Sequence, residues 1–441
     1  MLDLNFSDNV AKLNFIGVVS LFGGEIALSA LRYMVLIDNV FLSLYLTMIL
    51  SPGLQTVSLK MFKRMDDKIS TSISGGPRDD RKDIVGLSPS GNYSYIGLHS
   101  GTKMVVGNIL GEALIRKCEA KEVIKVPCSR KNSPKRGMKI KVIELDNLKT
   151  IENVGTSDAE YGPNVISKDI PSKIRGIFVY TIPLFTIAGM VIVLVAQEKD
   201  YKAFVLILLN VFCNMAVTFT IRSTGIRYPV GRSSTESPRG DIFIETTTGT
   251  ETYLVMGSED IIQYIFQKEL MMPPNPDIKL WNYLHIFAAY SSYIMVIFNI
   301  IWLPFCSIGG QIIFGVLIFF GVIQNIILAT FDGDKLLFDT MKDLLEIKSV
   351  NEYVFQTRTS GLAFCMMKSK STDIKPLKHL LPDTKTFEAW FECVVTSVKN
   401  STDAIVRNDL VGNGLLDVFK GDLNDAIGEY NRSKETNLTD V

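Results

Sequence analysis

Four long apolar stretches without Asp, Glu, Lys or Arg stand out between residues 176 and 331. Each is close to the ~20 residues that a helix needs to cross the ~30 Å hydrocarbon core of a bilayer. None shows the polar stripe that a core helix of a water-soluble protein presents to solvent. The pattern therefore predicts four membrane-spanning helices: Gly176–Ala196, Ala203–Ile221, Tyr283–Phe305 and Ile308–Phe331.

The amino-terminal region is also apolar, but charged residues interrupt it. Glu25 and Arg32 lie inside the stretch "LFGGEIALSALRY", and the polar triplet "IDN" follows it. The apolar residues of the first segment outweigh one central acid, which costs about 2.5–3.5 kcal/mol in insertion. We therefore predict a hairpin of two further spans, Leu13–Ile37 and Val40–Phe62.

The predicted fold class is a membrane all-α protein with six transmembrane helices and a small α+β cytoplasmic part. The second span ends in the basic segment "KMFKR" and the loop beyond it holds "SRKNSPKRGMKIK", so the positive-inside bias places the long connections and both termini in the cytoplasm. The predicted location is the plasma membrane. The predicted segments are the hairpin 1–62, the basic loop 63–175, the hairpin 176–221, the loop 222–282, the hairpin 283–331 and the helical tail 332–441.

Alternating apolar and polar positions in the two long loops predict strands. In the first loop a helix is expected near Lys103–Glu119, followed by strands Glu122–Cys128 and Met138–Leu145. The second loop, Gly240–Leu270, reads as strand, turn, strand and then a helix that Ser258 caps. We expect these four strands to form one small sheet.

Polar residues inside the predicted spans are the first candidate site, because an ionisable group in a bilayer is by default a functional hypothesis. Two interpretations are open. In one, the residues form interhelical hydrogen bonds around a protonated Glu25 while Arg32 extends toward the membrane surface. In the other, they line a permeation or sensing site. The set is Glu25, Arg32, Asn210, Asn214, Tyr290 and Tyr293.

A basic turn in the first loop is the second candidate site, since Arg130–Lys141 holds six cations and no acid. Each cation near an anionic inner leaflet contributes about 1 kcal/mol of attraction. The turn therefore predicts contact with anionic lipid or with a cytoplasmic partner, and a merely solvated loop is the alternative. Its cations are Arg130, Lys131, Lys135, Arg136, Lys139 and Lys141.

Motifs for catalysis, metals and cofactors are missing from the sequence. There is no P-loop, GxSxG or HExxH pattern, and the six cysteines form no CxxC pair. Two acids in "FDGDK", Phe331–Lys335, suggest a divalent cation site, but an Asp-Gly pair after a helix is usually a turn. The net charge of zero gives no support for nucleic-acid binding. We predict no enzyme activity, no cofactor and no metal.

The strings "SPGLQTVSLKMF" and "HLLPDTKTFEAWFECVV" resemble uncharacterised polytopic membrane proteins of filamentous fungi. The resemblance implies a membrane layout and no site residue. The predicted function is a non-enzymatic, membrane-anchored signalling or scaffolding protein whose cytoplasmic part binds another protein. The alternative is an ion channel or small-solute transporter that uses Glu25.

Overall fold

The chain folds into two compact units. The helical unit comprises Met1–Ser88, Tyr161–Tyr228 and Leu270–Thr340, and the α/β unit comprises Pro89–Glu160, Pro229–Glu269 and Met341–Val441. The structure, a computed structural model, describes residues 26–27, 30–32, 45–46, 87–130, 137–148, 183–192, 200–223, 237–246, 251–268, 270, 281–330, 333–373, 375–400 and 414–439.

Eleven α-helices of four or more described residues lie in the described ranges. They are α1 Ile109–Lys117, α2 Pro183–Ile192, α3 Tyr201–Ser223, α4 Glu259–Ile262, α5 Trp281–Trp302, α6 Ile308–Ala329, α7 Gly333–Leu344, α8 Arg358–Ser369, α9 Lys375–Lys378, α10 Lys385–Asn400 and α11 Gly414–Thr439. A π-helical turn, Gln263–Gln267, continues α4, and a 3-10 turn, Leu303–Phe305, follows α5.

A seven-stranded mixed sheet forms the centre of the α/β unit. Its strands are β1 Tyr93–Gly97, β2 Lys103–Val105, β3 Glu122–Lys125, β4 Met138–Leu148, β5 Ile242–Thr246, β6 Glu251–Met256 and β7 Leu345–Phe355. Their order in the sheet is β2-β1-β5-β6-β4-β7-β3. The pairs β4–β6 and β3–β7 are parallel, and the other neighbours are antiparallel. The sheet therefore joins strands from three separate stretches of the chain.

Helix α8 packs between the sheet and the carboxyl-terminal helices. Phe364 lies 4.6 Å from the Tyr353 ring and 5.2 Å from the Phe355 ring, measured between centroids. The same core includes the fully buried Trp390 of α10 and residues of α11. Gly361 permits the close approach to the sheet, because a Cβ atom there would lie 2.8 Å from the Met138 sulfur. Helix α8 is accordingly buried around most of its surface.

The helical unit has an inverted distribution of polarity. Polar side chains such as Asn210, Asn299 and Gln324 are buried, whereas large apolar side chains such as Ile312 and Phe319 are exposed. Most of the large apolar side chains that are exposed in the described ranges belong to this unit. In water such a surface is unfavourable, because each Å² of apolar area left exposed forgoes about 25 cal/mol.

The prediction of an all-helical protein with six membrane-spanning helices is wrong. The fold is α/β, with a seven-stranded mixed sheet, and among the described residues α3 and α6 are the two helices long and apolar enough to cross a membrane. The stretch predicted as a span over Gly176–Ala196 contains the ten-residue helix α2 within its described part. A multi-pass architecture is thus unsupported, and the predicted hairpin 1–62 lies almost wholly outside the described residues.

The sheet is also larger than predicted. The strands β3, β4, β5 and β6 and the start of α4 after Ser258 are confirmed, although the Ser258 side chain makes no capping hydrogen bond. The helix expected from Lys103 begins at Ile109, because Lys103–Val105 pairs with β1. Strands β3 and β4 are not neighbours, since β7 lies between them. A mainly helical tail was expected, and the eleven-residue strand β7 was missed.

Candidate functional site

A cleft opens in the α/β unit where the parallel strands β4 and β6 reach their carboxyl ends. This is the edge of an α/β sheet at which ligands commonly bind. Its volume is about 480 Å³, within the range of small-molecule sites. We call it the cationic cleft; its charged lining residues are Arg239, Lys348, Lys368, Lys370, Lys434, Glu144, Asp146 and Asp241.

Irregular strand pairing shapes one wall of the cationic cleft. The register between β4 and β7 shifts on both sides of Leu145. One shift leaves Lys348 of β7 without an opposite residue. The other leaves two residues of β4, one of which is Asp146, opposite a single residue of β7. Such bulges bend a strand and redirect side chains, and they are frequent beside functional sites. The two bulges explain how the exposed side chains of Lys348 and Asp146, which belong to neighbouring strands, both line this cleft.

A second wall comes from the carboxyl end of α8. Lys370 caps this helix with a φ of 55°, and it is the one non-glycine residue with a positive φ in the part of the chain that the structure describes. A left-handed backbone costs a residue with a Cβ about 1–2 kcal/mol, and glycine or asparagine is usual at this position. Glycine or asparagine at position 370 would therefore give a more stable backbone than lysine does.

The charges of the cleft are unequal in number and only partly paired. Lys368 forms an ion pair with Glu144 at 3.0 Å. Asp241 is buried, accepts the Gly257 N–H at 3.1 Å and contacts His99 Nε2 at 3.1 Å. Two of the three acids are thus engaged within the protein.

Three cations remain without an acidic partner among the described residues. They are Arg239, Lys348 and Lys370, all of which are exposed. Arg239 makes one long hydrogen bond, 3.4 Å, to the Ser369 carbonyl. Lys434 is different, since its Nζ lies 4.6 Å from the centroid of the Tyr430 ring. Cations gathered around a concave surface focus a positive potential there and raise the local concentration of anions.

Three of the six cations of the basic turn, Arg130, Lys139 and Lys141, lie in the described structure. Arg130 donates from Nε to Asp422 Oδ1 at 2.8 Å and also binds Asp422 Oδ2. Lys141 donates to the Cys118 carbonyl at 3.0 Å, and Lys139 is exposed on β4. These contacts engage two of the predicted lipid-binding cations within the protein. Lys131, Lys135 and Arg136 lie outside the described residues.

The predicted intramembrane residues fall in the helical unit. Asn210 and Asn299 form a reciprocal amide pair, with hydrogen bonds of 2.8 and 2.9 Å, and Asn210 also donates to the Leu206 carbonyl at 2.8 Å. Asn214 is buried, and Tyr290 is exposed. Glu25 and the side chain of Tyr293 lie outside the described residues.

Arg32 and the sequence "FDGDK" meet within the helical unit. The Arg32 guanidinium forms an ion pair with Asp334 at 2.9 Å. Arg32 therefore has an acidic partner inside the unit, in place of the outward extension expected from the sequence. Asp334 in turn has a cationic partner, which lowers the attraction of this segment for a divalent cation.

The sequence analysis suggested none of the five cations of the cationic cleft. The five cations come from separate stretches, which lie before β5, within β7, at the end of α8 and late in α11. No linear motif marks them. Comparisons with protein-family models, with curated proteins and with solved structures find no match for this chain.

Proposed function

We propose that this chain is a non-enzymatic binding protein whose α/β unit takes an anionic ligand in the cationic cleft. The observation that carries the proposal is the group Arg239, Lys348 and Lys370, which faces a concave space without acidic partners among the described residues. Unneutralised cations that surround a cleft repel one another, and a bound anion relieves this repulsion.

Binding is better supported than catalysis. A hydrolytic site places a nucleophile within hydrogen-bond reach of a base. The buried Asp241 does orient His99, but His99 does not line the cleft. Within the described residues, no group of three His, Cys, Asp or Glu residues could hold a metal ion. The lining instead offers fixed charges, which suit recognition.

Membrane attachment of the helical unit is the second part of the proposal. Helix α6 has 22 residues and would span about 33 Å at 1.5 Å per residue. A core helix of a water-soluble protein buries its apolar side chains, whereas Ile308, Ile312 and Phe319 of α6 are exposed. A hydrocarbon environment accommodates such a surface, and it also favours the internal pairing of Asn210 with Asn299.

A ligand-binding unit joined to a membrane-attached unit is suited to signalling or scaffolding. The channel or transporter alternative depends on Glu25, which lies outside the described residues, and on the polar residues predicted to lie near it. Asn210 is committed to Asn299 and Leu206, which favours a structural role for that part of the predicted site. The anion-binding proposal therefore has the stronger support.

Pyrophosphate titration of the detergent-purified full chain tests the proposal by calorimetry. Lys370→Asn removes one cleft cation, and we expect the affinity for pyrophosphate to fall about three- to tenfold, equivalent to about 0.7–1.4 kcal/mol. The melting temperature should not fall, because asparagine tolerates the left-handed conformation that Lys370 adopts. Binding should also weaken with added salt.

The matched control is Lys385→Asn, which removes an exposed lysine at the start of α10, outside the cleft. Its affinity for pyrophosphate should equal that of the wild type. Equal titrations of the two variants, or no saturable binding to the wild type, would contradict the proposed function.

A further inference from the structure

The cationic cleft contains an acid that has no hydrogen-bond or ion-pair partner among the described residues. Asp146 is exposed and lies beside the β4 bulge, and it lines the same space as Arg239, Lys348 and Lys370. A site for phosphate alone gains nothing from a carboxylate, which repels the ligand. A carboxylate does accept hydrogen bonds from hydroxyl groups of a ligand.

We infer that the ligand of the cationic cleft is a phosphorylated polyol, an assignment that rests on the proposed function. Its phosphates contact Arg239, Lys348 and Lys370, and its hydroxyl groups donate to Asp146. Arginine and lysine are the side chains that hold phosphate oxygens most strongly. The cleft would therefore recognise both the negative charge and the hydroxyl groups of its ligand.

The size and the lining of the cleft agree with this class of ligand. A volume of about 480 Å³ far exceeds the space that a single phosphate fills and suits a ring with several substituents. Aromatic side chains are the usual stacking platform for a nucleotide base. Tyr430 is the one aromatic residue of the lining, and the Lys434 ammonium group already lies over its ring. The polyol is thus favoured over a nucleotide.

Opposite responses of two probes to one substitution test this inference. In Asp146→Ala, we expect the full chain to bind inositol trisphosphate about fivefold more weakly, because the hydroxyl acceptor is lost. The same variant should bind pyrophosphate equally well or about twofold more tightly, because a repelling charge is lost. Calorimetry of the detergent-purified protein measures both affinities, and the melting temperature verifies that the variant is folded.

The control is Asp383→Ala, an exposed acid that does not line the cleft and that should change neither affinity. A change of the same sign and size for both probes in Asp146→Ala would overturn the polyol assignment and leave the proposed function intact. No binding of either probe to the wild type would overturn both.

A phosphorylated polyol can be free in solution or can be the headgroup of a lipid. Displacement of fluorescent inositol trisphosphate from the full chain distinguishes the two sources. If dioctanoyl phosphatidylinositol bisphosphate displaces it as well as unlabelled inositol trisphosphate does, the cleft accepts the lipid headgroup. If only the unlabelled trisphosphate displaces it, the source is the free polyol. Displacement by neither competitor would mean that the probe is not bound in a specific site, which contradicts the inference.

Discussion

Lys370 and Lys348 are single residues at irregular positions of the backbone. Lys370 has a left-handed φ at the end of α8, and Lys348 has no opposite residue at a strand irregularity. Both lysine side chains line the cationic cleft. Glycine or asparagine at position 370 would lower the backbone energy, and the proposed anion site would account for the lysine that stands there.

Glu429 provides a prediction at the same scale. Burial raises the pKa of this carboxyl above its ordinary value of 4.5, and Glu122 adds to the rise, whereas Arg432, 3.2 Å away, opposes it. The folded state then holds the proton more tightly than the unfolded state. Stability is therefore lost as the pH rises from 4.5 through the raised pKa, and a residue that stays neutral avoids the loss.

We expect Glu429→Gln to match the wild type in melting temperature below pH 4.5 and to exceed it increasingly at higher pH. Thermal denaturation in a series of buffers measures the difference. A wild type that gains stability relative to the variant as the pH rises would show that the ion pair with Arg432 outweighs burial.

Helix α11 contributes apolar residues to the core of the α/β unit, and a few polar contacts also hold it there. Asp422 is fully buried and binds the Arg130 guanidinium and the Thr359 hydroxyl. Asp425, one turn further, accepts the Ser129 N–H at 2.9 Å. Arg130, the first residue of the basic turn that was predicted to contact lipid, thus stabilises the position of α11.

Removal of the buried acid should loosen this helix. We expect Asp422→Ala to lower the free energy of unfolding by about 2–3 kcal/mol, since Arg130 and Thr359 lose a charged acceptor. Hydrogen exchange should rise across α11. Asp417→Ala, on an exposed acid of the same helix, is the control and should change stability by less than about 0.5 kcal/mol. Equal effects of the two substitutions would disprove a fastening role for Asp422.

The whole molecule combines a unit of ordinary polarity with a unit of inverted polarity. In the α/β unit Phe243, Phe364 and Trp390 are buried, as in water-soluble proteins. In the helical unit Phe319, close to the middle of α6, is 62% exposed, while Asn210 is 4% exposed. The two solvents that these surfaces favour are different, which is the physical basis for proposing membrane attachment.

Charge substitutions along α6 test that attachment. In a bilayer, a lysine near the helix centre costs about 2.5–3.5 kcal/mol, whereas one near an end extends to the interface at little cost. We expect Phe319→Lys to reduce the amount of full chain in carbonate-washed membranes strongly and Ile308→Lys to reduce it little. If the wild type stays in the soluble fraction without detergent, or if both variants behave alike, attachment through α6 is refuted.

The sequence alone determined the features that depend on neighbouring residues. Alternation over four to six residues located β3, β5 and β6, and the absence of charge located α3 and α6, because side-chain periodicity is a local property. Strand β7 was not predicted, because its bulge interrupts the alternation of apolar and polar residues in "LEIKSVNEYVF". The apolar pattern also led to an overestimate of the number of spans, because composition does not distinguish a helix that is covered by protein from one that is covered by lipid.

Only the tertiary structure decided which distant residues meet. It placed β7 between β4 and β3, paired Arg130 with Asp422 and Arg32 with Asp334, and gathered Arg239, Lys348 and Lys370 around one cleft. These contacts depend on strand register and on packing between segments far apart in the chain. A local pattern carries no information about either, so the candidate site could be found only in the folded protein.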